Sequence, residues 1–341
     1  MTTPLRVSAK VLELRTRHPF IIARGGSSDF RTVWVTVTDA DGREGWGEAA
    51  PTRFYGETPE TVLAAIAVYA TAMPSDPFDL ESTERRWEGL LRGNAAARVA
   101  LSTALHDLAA RRAGVPLYRL WGLDPATAPR STFTIGLDSA ERMQAKVLEA
   151  AEYPILKVKL GTDRDVAILE ALRAVTDREI RVDANCGWTV KQAVAMLPVL
   201  AEHGVTVLEQ PLAPADRDGL REVRRRAAIP VIADESCVVA SDIPPLAGCV
   251  DGINIKLAKC GSLREAARMI AIARAHQMQV MLGCMIESSL GITAAAHLAP
   301  LVDIVDLDGA ALLANDPFAG ATIHGGQLAL PHGPGLGVTA R

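Results

Sequence analysis

The sequence predicts an α/β protein, a barrel of eight parallel strands alternating with helices, preceded by a smaller α+β unit that caps it. Three observations carry this expectation. Short strand-like runs recur about every 25 residues from residue 131 onward: "STFTIGL" (131), "ILKVKLG" (155), "EIRVDAN" (179), "VTVLEQP" (205), "PVIADES" (230), "GINIKLA" (252), "QVMLGCM" (279) and "DIVDLDG" (303). Amphipathic, alanine-rich helical segments such as "SLREAARMIAIARAH" lie between them. Apolar strands alternating with helices make a parallel sheet, and eight evenly spaced units suit a barrel better than an open doubly wound sheet. The glycine-rich dinucleotide fingerprint of the open sheet is also absent after the early strands.

Residues 1–50 read as antiparallel β, with "RVSAKVLEL" and "TVWVTVTDADGREGWGEAA" as strand-like runs, the second broken by an Asp-Gly turn at 41–42. Between them "IIARGGSSDF" is expected to be a polar, glycine-containing loop. Residues 58–113 carry helical periodicity and stop at Gly114. The expected division is a capping domain over 1–115, a barrel over 116–315, and a C-terminal segment, 316–341, that returns to the cap.

Composition narrows the function classes. A chain of 341 residues, 49% of them hydrophobic, can bury a large core in two domains. With 36 basic and 40 acidic residues and no basic run longer than "RRR" at 224–226, binding to nucleic acid or an anionic membrane surface is not expected. The five cysteines (Cys186, Cys237, Cys249, Cys260, Cys284) form no CxxC pair and are odd in number, as reduced cytoplasmic thiols would be. No signal-peptide pattern opens the chain and no apolar run reaches membrane-spanning length, so a soluble, cytoplasmic protein is expected.

Barrel strands should be apolar, with chemistry at their C-terminal ends. Here the ends carry Lys157 and Lys159, Asp183 and Asn185, Glu209, Asp234 and Glu235, Lys256, and Asp306 and Asp308. Any one of these is explained by a helix cap or an ion pair. Polar ends on most of the strands describe a site. Asp183, Glu209 and Asp234 close three consecutive strands, whose ends are neighbours in a barrel. Three converging carboxylates raise one another's pKa unless a cation is present. Oxygen donors without His or Cys point to Mg²⁺, or Mn²⁺, rather than zinc. Lys157 and Lys159 share one face of strand 2, and Lys256 ends strand 6, directly opposite. Lysines facing each other across a metal suit proton abstraction beside a carboxylate, with the lysine pKa lowered by nearby cations.

The segments "KVKLG", "VDANCGW", "LEQP", "ADES" and "NIKLAKCG", in this order on successive strands, resemble the motif series of the enolase superfamily, muconate-lactonizing subgroup. The resemblance extends to "WGEAAP" and "LHDLAARRAG" in the cap and so covers almost the whole chain. It implies a (β/α)7β barrel, Mg²⁺ held by Asp183, Glu209 and Asp234, and Lys159 and Lys256 as an acid/base pair with Lys157 as electrostatic partner. Asn185 and Glu235 stand in support. "DLDGA" resembles the dipeptide epimerases, in which such a pair receives the substrate's α-ammonium group, here through Asp306 and Asp308. "FTIG" and "LGCMIES" place Thr134 and Cys284 at substrate-contact positions.

The cap segments 20–30 and 50–57 are expected to close over the mouth, with Arg24 (or Arg53, beside Tyr55) pairing a side-chain carboxylate of the substrate. The implied activity is epimerisation of a small dipeptide, of the L-Ala-D/L-Glu type, through an enediolate. N-acylamino acid racemisation or cycloisomerisation is the alternative within the same chemistry, and a non-catalytic barrel binding a cationic ligand is the alternative outside it. A homo-oligomer is expected, of a size no sequence feature sets. Glu287 is expected to help orient the site, and Lys259 to line the entrance or to be solvated.

Overall fold

The computed structural model describes residues 4–341. Its N-terminal part is an antiparallel sheet of β1 (Arg6–Ile22), β2 (Gly25–Thr38) and β3 (Glu44–Ala49), followed by helices α1 (Pro59–Ala70), α2 (Leu80–Leu90) and α3 (Ala95–Ala113). Strand alternation sends Val33, Val35 and Val37 into a core shared with Trp87, Leu101, Leu105 and Leu108 of the helices. The turn at 41–42 forms because Asp39 Oδ1 accepts from the backbone N–H groups of Asp41 and Arg43 while Gly42 takes a φ of 79°. Gly114 ends α3 in the left-handed region, φ 72°.

β3 crosses α3 so closely that a Cβ on Gly47 would stand 2.0 Å from the carbonyl oxygen of Ala100. Gly47→Ala is therefore expected to lower unfolding free energy by about 3 kcal/mol through overpacking. Urea denaturation measures it, and an unchanged midpoint would show that the two elements separate without cost.

"IIARGGSSDF" is not a loop. Phe20, Ile21 and Ile22 pair with Ser27, Gly26 and Gly25, so the segment is the tip of the β1–β2 hairpin beyond a register shift between Arg15 and Phe20. The glycines serve the ribbon: Gly25 has a φ of 102°, and a Cβ on Gly26 would meet the Phe20 carbonyl oxygen at 2.0 Å.

The second sheet runs in chain order through β4 (Phe133–Ile135), β5 (Ile155–Lys159), β6 (Glu179–Asp183), β7 (Val205–Glu209), β8 (Val231–Ala233), β9 (Gly252–Lys256), β10 (Gln279–Gly283) and β11 (Ile304–Val305), all parallel. A parallel bridge between Ser131 and Val305 joins its two ends, with Thr132 N donating to Val305 O at 3.2 Å. Helices cross between successive strands, but β11 is followed only by a short 3-10 turn, Gly309–Leu312. This is a (β/α)7β barrel.

Outward-facing residues such as Leu156, Val158, Ile180, Val182, Ile253 and Ile255 join the main core under the helices. Inside, Val207, Ile232, Met281 and Ile304 form a separate apolar floor. Each stands two residues before Glu209, Asp234, Gly283 or Asp306, so the polar ends form the next layer up on the same inward face.

The cap is fastened over that layer. Leu14 of β1 packs with Ile286 and Leu313 of the barrel rim, joined by Phe20 and Phe30. Glu48 of β3 reaches the first turn of the Ser289–Ala296 helix, accepting from Ser288 N at 3.1 Å and Gly291 N at 2.9 Å. The C-terminal segment meets the cap as well: the Phe318 ring lies edge-on to Trp34 at 5.0 Å, and Leu336 N donates to Asp107 Oδ1 at 2.7 Å. Among the described residues no helix is long and apolar enough to cross a membrane.

Candidate active site

Asp183, Glu209 and Asp234, from β6, β7 and the end of β8, converge at the barrel mouth with ligand-capable oxygens all within 4.8 Å of one another, each residue buried. The lysines expected beside them are there. Lys159 Nζ lies 2.6 Å from Asp183 Oδ2, and Lys256 Nζ lies 2.7 Å from Asp234 Oδ2. Lys157 Nζ sits between, 2.7 Å from Glu209 Oε2, 2.7 Å from Asp306 Oδ2 and 3.4 Å from Asp183 Oδ2. β5 and β9 are second and sixth of eight strands, so Lys159 and Lys256 face each other across the mouth.

The cluster's electrostatics are uneven. Burial, followed by the charge of Asp183, pushes Glu209 up to about 7 despite Lys157. Burial acts the same way on Asp183 and Asp234, but Lys159 and Lys157 outweigh it at the first and Lys256 and Lys259 at the second, so both are held below the usual carboxylate range. Lys256 stands among charges of both signs. Burial and Lys157 favour its neutral form, yet Asp234, Glu209 and Glu235 outweigh them and hold it above the ordinary lysine value. The surplus of carboxylates around it is the physical reason.

Oxygen donors without nitrogen or sulfur fit a hard divalent cation such as Mg²⁺. The surroundings fit as well: Asn185 Oδ1, Asn254 Oδ1 and Glu235 Oε2, on residues next to or bonded to the three carboxylates, are buried without a hydrogen-bond partner. Such orphaned acceptors are costly unless a cation or its water serves them. Asn185 reaches its place through a left-handed backbone, φ 45°, which turns its N–H onto Asp183 Oδ1 at 2.9 Å.

The Asp306–Asp308 pair divides into two environments. Asp306 is bound by Lys157 and accepts from Thr132 Oγ1. Burial opposes its charge, but Lys157 and Lys159 prevail and hold it at about 2. Asp308 accepts from the backbone N–H of Thr134 at 2.5 Å, and burial plus the charge of Asp306 push it up to about 7. It makes no capping bond to the turn that follows it, so helix capping does not account for it. The Cys284 thiol lies half-buried beside this pair, its pKa pushed well up by burial and then by Asp308 and Asp306.

Cap residues close the other side. The Phe20 ring centroid lies 5.9 Å from Lys159 Nζ. Arg24 is already committed: NH1 donates to Asn185 O at 2.6 Å and NH2 to Glu235 Oε1 at 2.7 Å, with the guanidinium 4.3 Å from the Phe54 ring centroid. Arg53 is exposed in the 3-10 turn Arg53–Tyr55, whereas Tyr55 turns inward, its hydroxyl pKa raised by burial and by Asp234.

Asn254 and Gln210 were not picked out in the sequence, and Lys259 takes a different place from the one expected. Lys259 neither lines the entrance nor meets solvent; it is 1% exposed and bonds Asp234 Oδ1 at 2.6 Å and Asp234 O at 2.5 Å, with the carbonyls of Cys237 and Asn254 each at 2.9 Å. Asn254 Nδ2 donates to Glu209 Oε1 at 2.8 Å. Being two residues before Lys256, Asn254 was findable by alternation, but Lys259 lies on the short Leu257–Cys260 helix, where no strand period applies. Gln210 Oε1 accepts from Asp234 N at 2.9 Å and Ser236 N at 3.1 Å, bracing the ends of β7 and β8. Glu287, buried, accepts from Met285 N at 2.9 Å, and burial followed by Glu48 pushes its pKa up to about 8.

A family model described as "Mandelate racemase / muconate lactonizing enzyme, N-terminal domain" matches residues 6–122, and one described as "Enolase C-terminal domain-like" matches residues 138–341. An L-Ala-D/L-Glu epimerase of Bacteroides thetaiotaomicron is 41% identical over 328 residues, covering 96% of this chain and 85% of its own. An L-Ala-D/L-amino acid epimerase of Maribacter sp. is 40% identical over 336 residues, 98% of this chain and 99% of its own. The crystal structure of a dipeptide epimerase from Enterococcus faecalis V583, complexed with Mg and the dipeptide L-Leu-L-Tyr, matches with a TM-score of 0.94 at 32% identity, over 99% of this chain and 100% of that one.

Proposed function

This chain belongs to the mandelate racemase / muconate lactonizing enzyme family of the enolase superfamily, and on that premise we propose that it epimerises dipeptides at the α-carbon of the C-terminal residue, with L-Ala-D/L-Glu as the representative substrate. The observation that carries the reading is the pair of lysines on opposed strands, each against a carboxylate of one buried acidic cluster. Asp183, Glu209 and Asp234 are the residues to hold Mg²⁺, with Mn²⁺ as a substitute. When bound, the cation supplies positive charge to the substrate carboxylate, making the neighbouring C–H more acidic.

The chain's residues supply the rest. One of Lys159 and Lys256 takes the α-proton and the other returns a proton to the opposite face. Lys157 adds a fixed ammonium beside the electron density gathering on the carboxylate. Asp306 and Asp308 receive the substrate's α-ammonium group, with Thr134 and Cys284 lining its approach. Phe20 and Tyr55 shield the centre from water. Arg24 is the cap residue to meet a glutamate side chain, which it does by exchanging its present partner Glu235. The five unpaired cysteines suit a reducing cytoplasm.

A dipeptide library incubated with the protein and Mg²⁺ in D₂O tests this by mass spectrometry. Dipeptides carrying L-Ala before D- or L-Glu are expected to gain one deuterium, with exchange lost on chelation and restored by Mg²⁺. Exchange confined to N-acylamino acids, or none in any dipeptide, would overturn the reading.

A further inference from the structure

The hydrogen bonds around the acidic cluster follow a pattern that goes beyond the presence of three carboxylates. One oxygen of each is held by a group that is neither a strand-end lysine nor solvent. Asp183 Oδ1 accepts from Asn185 N at 2.9 Å, Glu209 Oε1 from Asn254 Nδ2 at 2.8 Å, and Asp234 Oδ1 from Lys259 Nζ at 2.6 Å. The second oxygen of each faces an ammonium of the mouth: Lys159 for Asp183 Oδ2, Lys157 for Glu209 Oε2, Lys256 for Asp234 Oδ2. Asp183 Oδ2 also takes a weaker bond from Asn185 Nδ2 at 3.1 Å.

The two sets of donors differ in freedom. The Lys259 ammonium is anchored by three carbonyl oxygens, those of Asp234 itself, Cys237 and Asn254, besides the Asp234 carboxylate, has no exposed side-chain surface, and cannot leave without stranding those acceptors. Asn254 sits on β9 with its own carbonyl bound to Lys259, and its side chain lies against Gly283 of β10, where a Cβ would stand 2.7 Å from Asn254 Oδ1. The strand lysines, by contrast, end in the mouth itself.

We propose that Lys259, seconded by Asn254, is a selectivity-determining positioning residue: by occupying one oxygen of Asp234 and of Glu209, the pair limits these carboxylates to one donor oxygen each and so fits the cluster to a small octahedral cation over a larger one. Mg²⁺ accepts few, single-oxygen carboxylate ligands, whereas Ca²⁺ favours more oxygens and two-oxygen carboxylates. Freeing Asp234 Oδ1 offers the second oxygen that benefits Ca²⁺ more than Mg²⁺. This inference uses the metal assignment made above but not the dipeptide chemistry.

The test is calorimetric titration of the metal-free protein with Mg²⁺ and, separately, with Ca²⁺. The readout is the ratio of the two dissociation constants. Both ions are divalent, so the ratio cancels the change in net charge and any uniform loosening of the site. In Lys259→Met the preference for Mg²⁺ over Ca²⁺ is expected to shrink by about tenfold or more, within the range seen when groups behind metal ligands are removed. Asn254→Ala is expected to move the ratio in the same direction by a smaller factor, and it decides the matter if Lys259→Met does not fold. A ratio equal to that of the unsubstituted protein in the folded variants would overturn the proposal. Wild-type protein that binds Mg²⁺ but exchanges no dipeptide proton would sink the proposed function alone.

Discussion

Lys159→Ala and Lys256→Ala should each abolish epimerisation while leaving half of the proton chemistry intact. The lysines stand on β5 and β9, on opposite sides of the mouth, and each is tied to a different carboxylate, so neither can serve the other's face of a bound α-carbon. Loss of a positioned acid or base costs roughly 10²–10⁴-fold. With one lysine left, a stereoisomer presenting its α-proton to that side should still wash in deuterium from D₂O, without inverting. The two variants should therefore exchange opposite stereoisomers. Chiral separation after incubation in D₂O reads both quantities. Full epimerisation in both variants, or exchange of both stereoisomers by either one, would rule out a two-base scheme.

The second large effect is expected at Asp308. Asp306 is occupied by Lys157 and Thr132, whereas Asp308 is held by Thr134 and, among the described residues, by no ion-paired ammonium or guanidinium, and is therefore the freer acceptor for an incoming ammonium. An arriving cation would also draw its raised pKa, about 7, back toward the carboxylate range. Truncating one partner of a buried charge pair costs about 2–5 kcal/mol, so Asp308→Asn should lower kcat/KM for free-amine dipeptides by more than an order of magnitude. The same dipeptides N-acetylated are the control, because they bring no ammonium. The preference of the wild-type protein for the free amine should collapse in the variant. Asp306→Asn should be harmful for both forms, since it also releases Lys157. Persistence of the free-amine preference in Asp308→Asn would remove Asp308 from ammonium recognition.

Much of the site was legible in the chain because a strand has a period of two. Lys157 and Lys159, Asp306 and Asp308, and the recurring carboxylates at strand ends share one face by that rule alone, and the even spacing of the runs placed β5 opposite β9. What the period could not reach were bonds set by the approach of distant segments. Arg24 and Glu235 meet across 211 residues, and Lys157 meets Asp306 across 149. The arginine expected to await substrate is thereby already paired, and one aspartate of the rim pair is already spoken for.

The order of residues settled which side chains point inward and at which end of each strand they stand, since alternation and repeat length are local properties of the backbone. Which oxygen of each carboxylate is held, and by what, depended on the closed barrel, where Lys259 is buried among carbonyls from three points of the chain. A lysine outside any strand carries no periodic signal, and its partners are fixed only when the strand ends are brought around the ring. Burial then gives those contacts their strength, because in a low-dielectric interior a carboxylate's remaining free oxygen is defined by the donors that have taken the other.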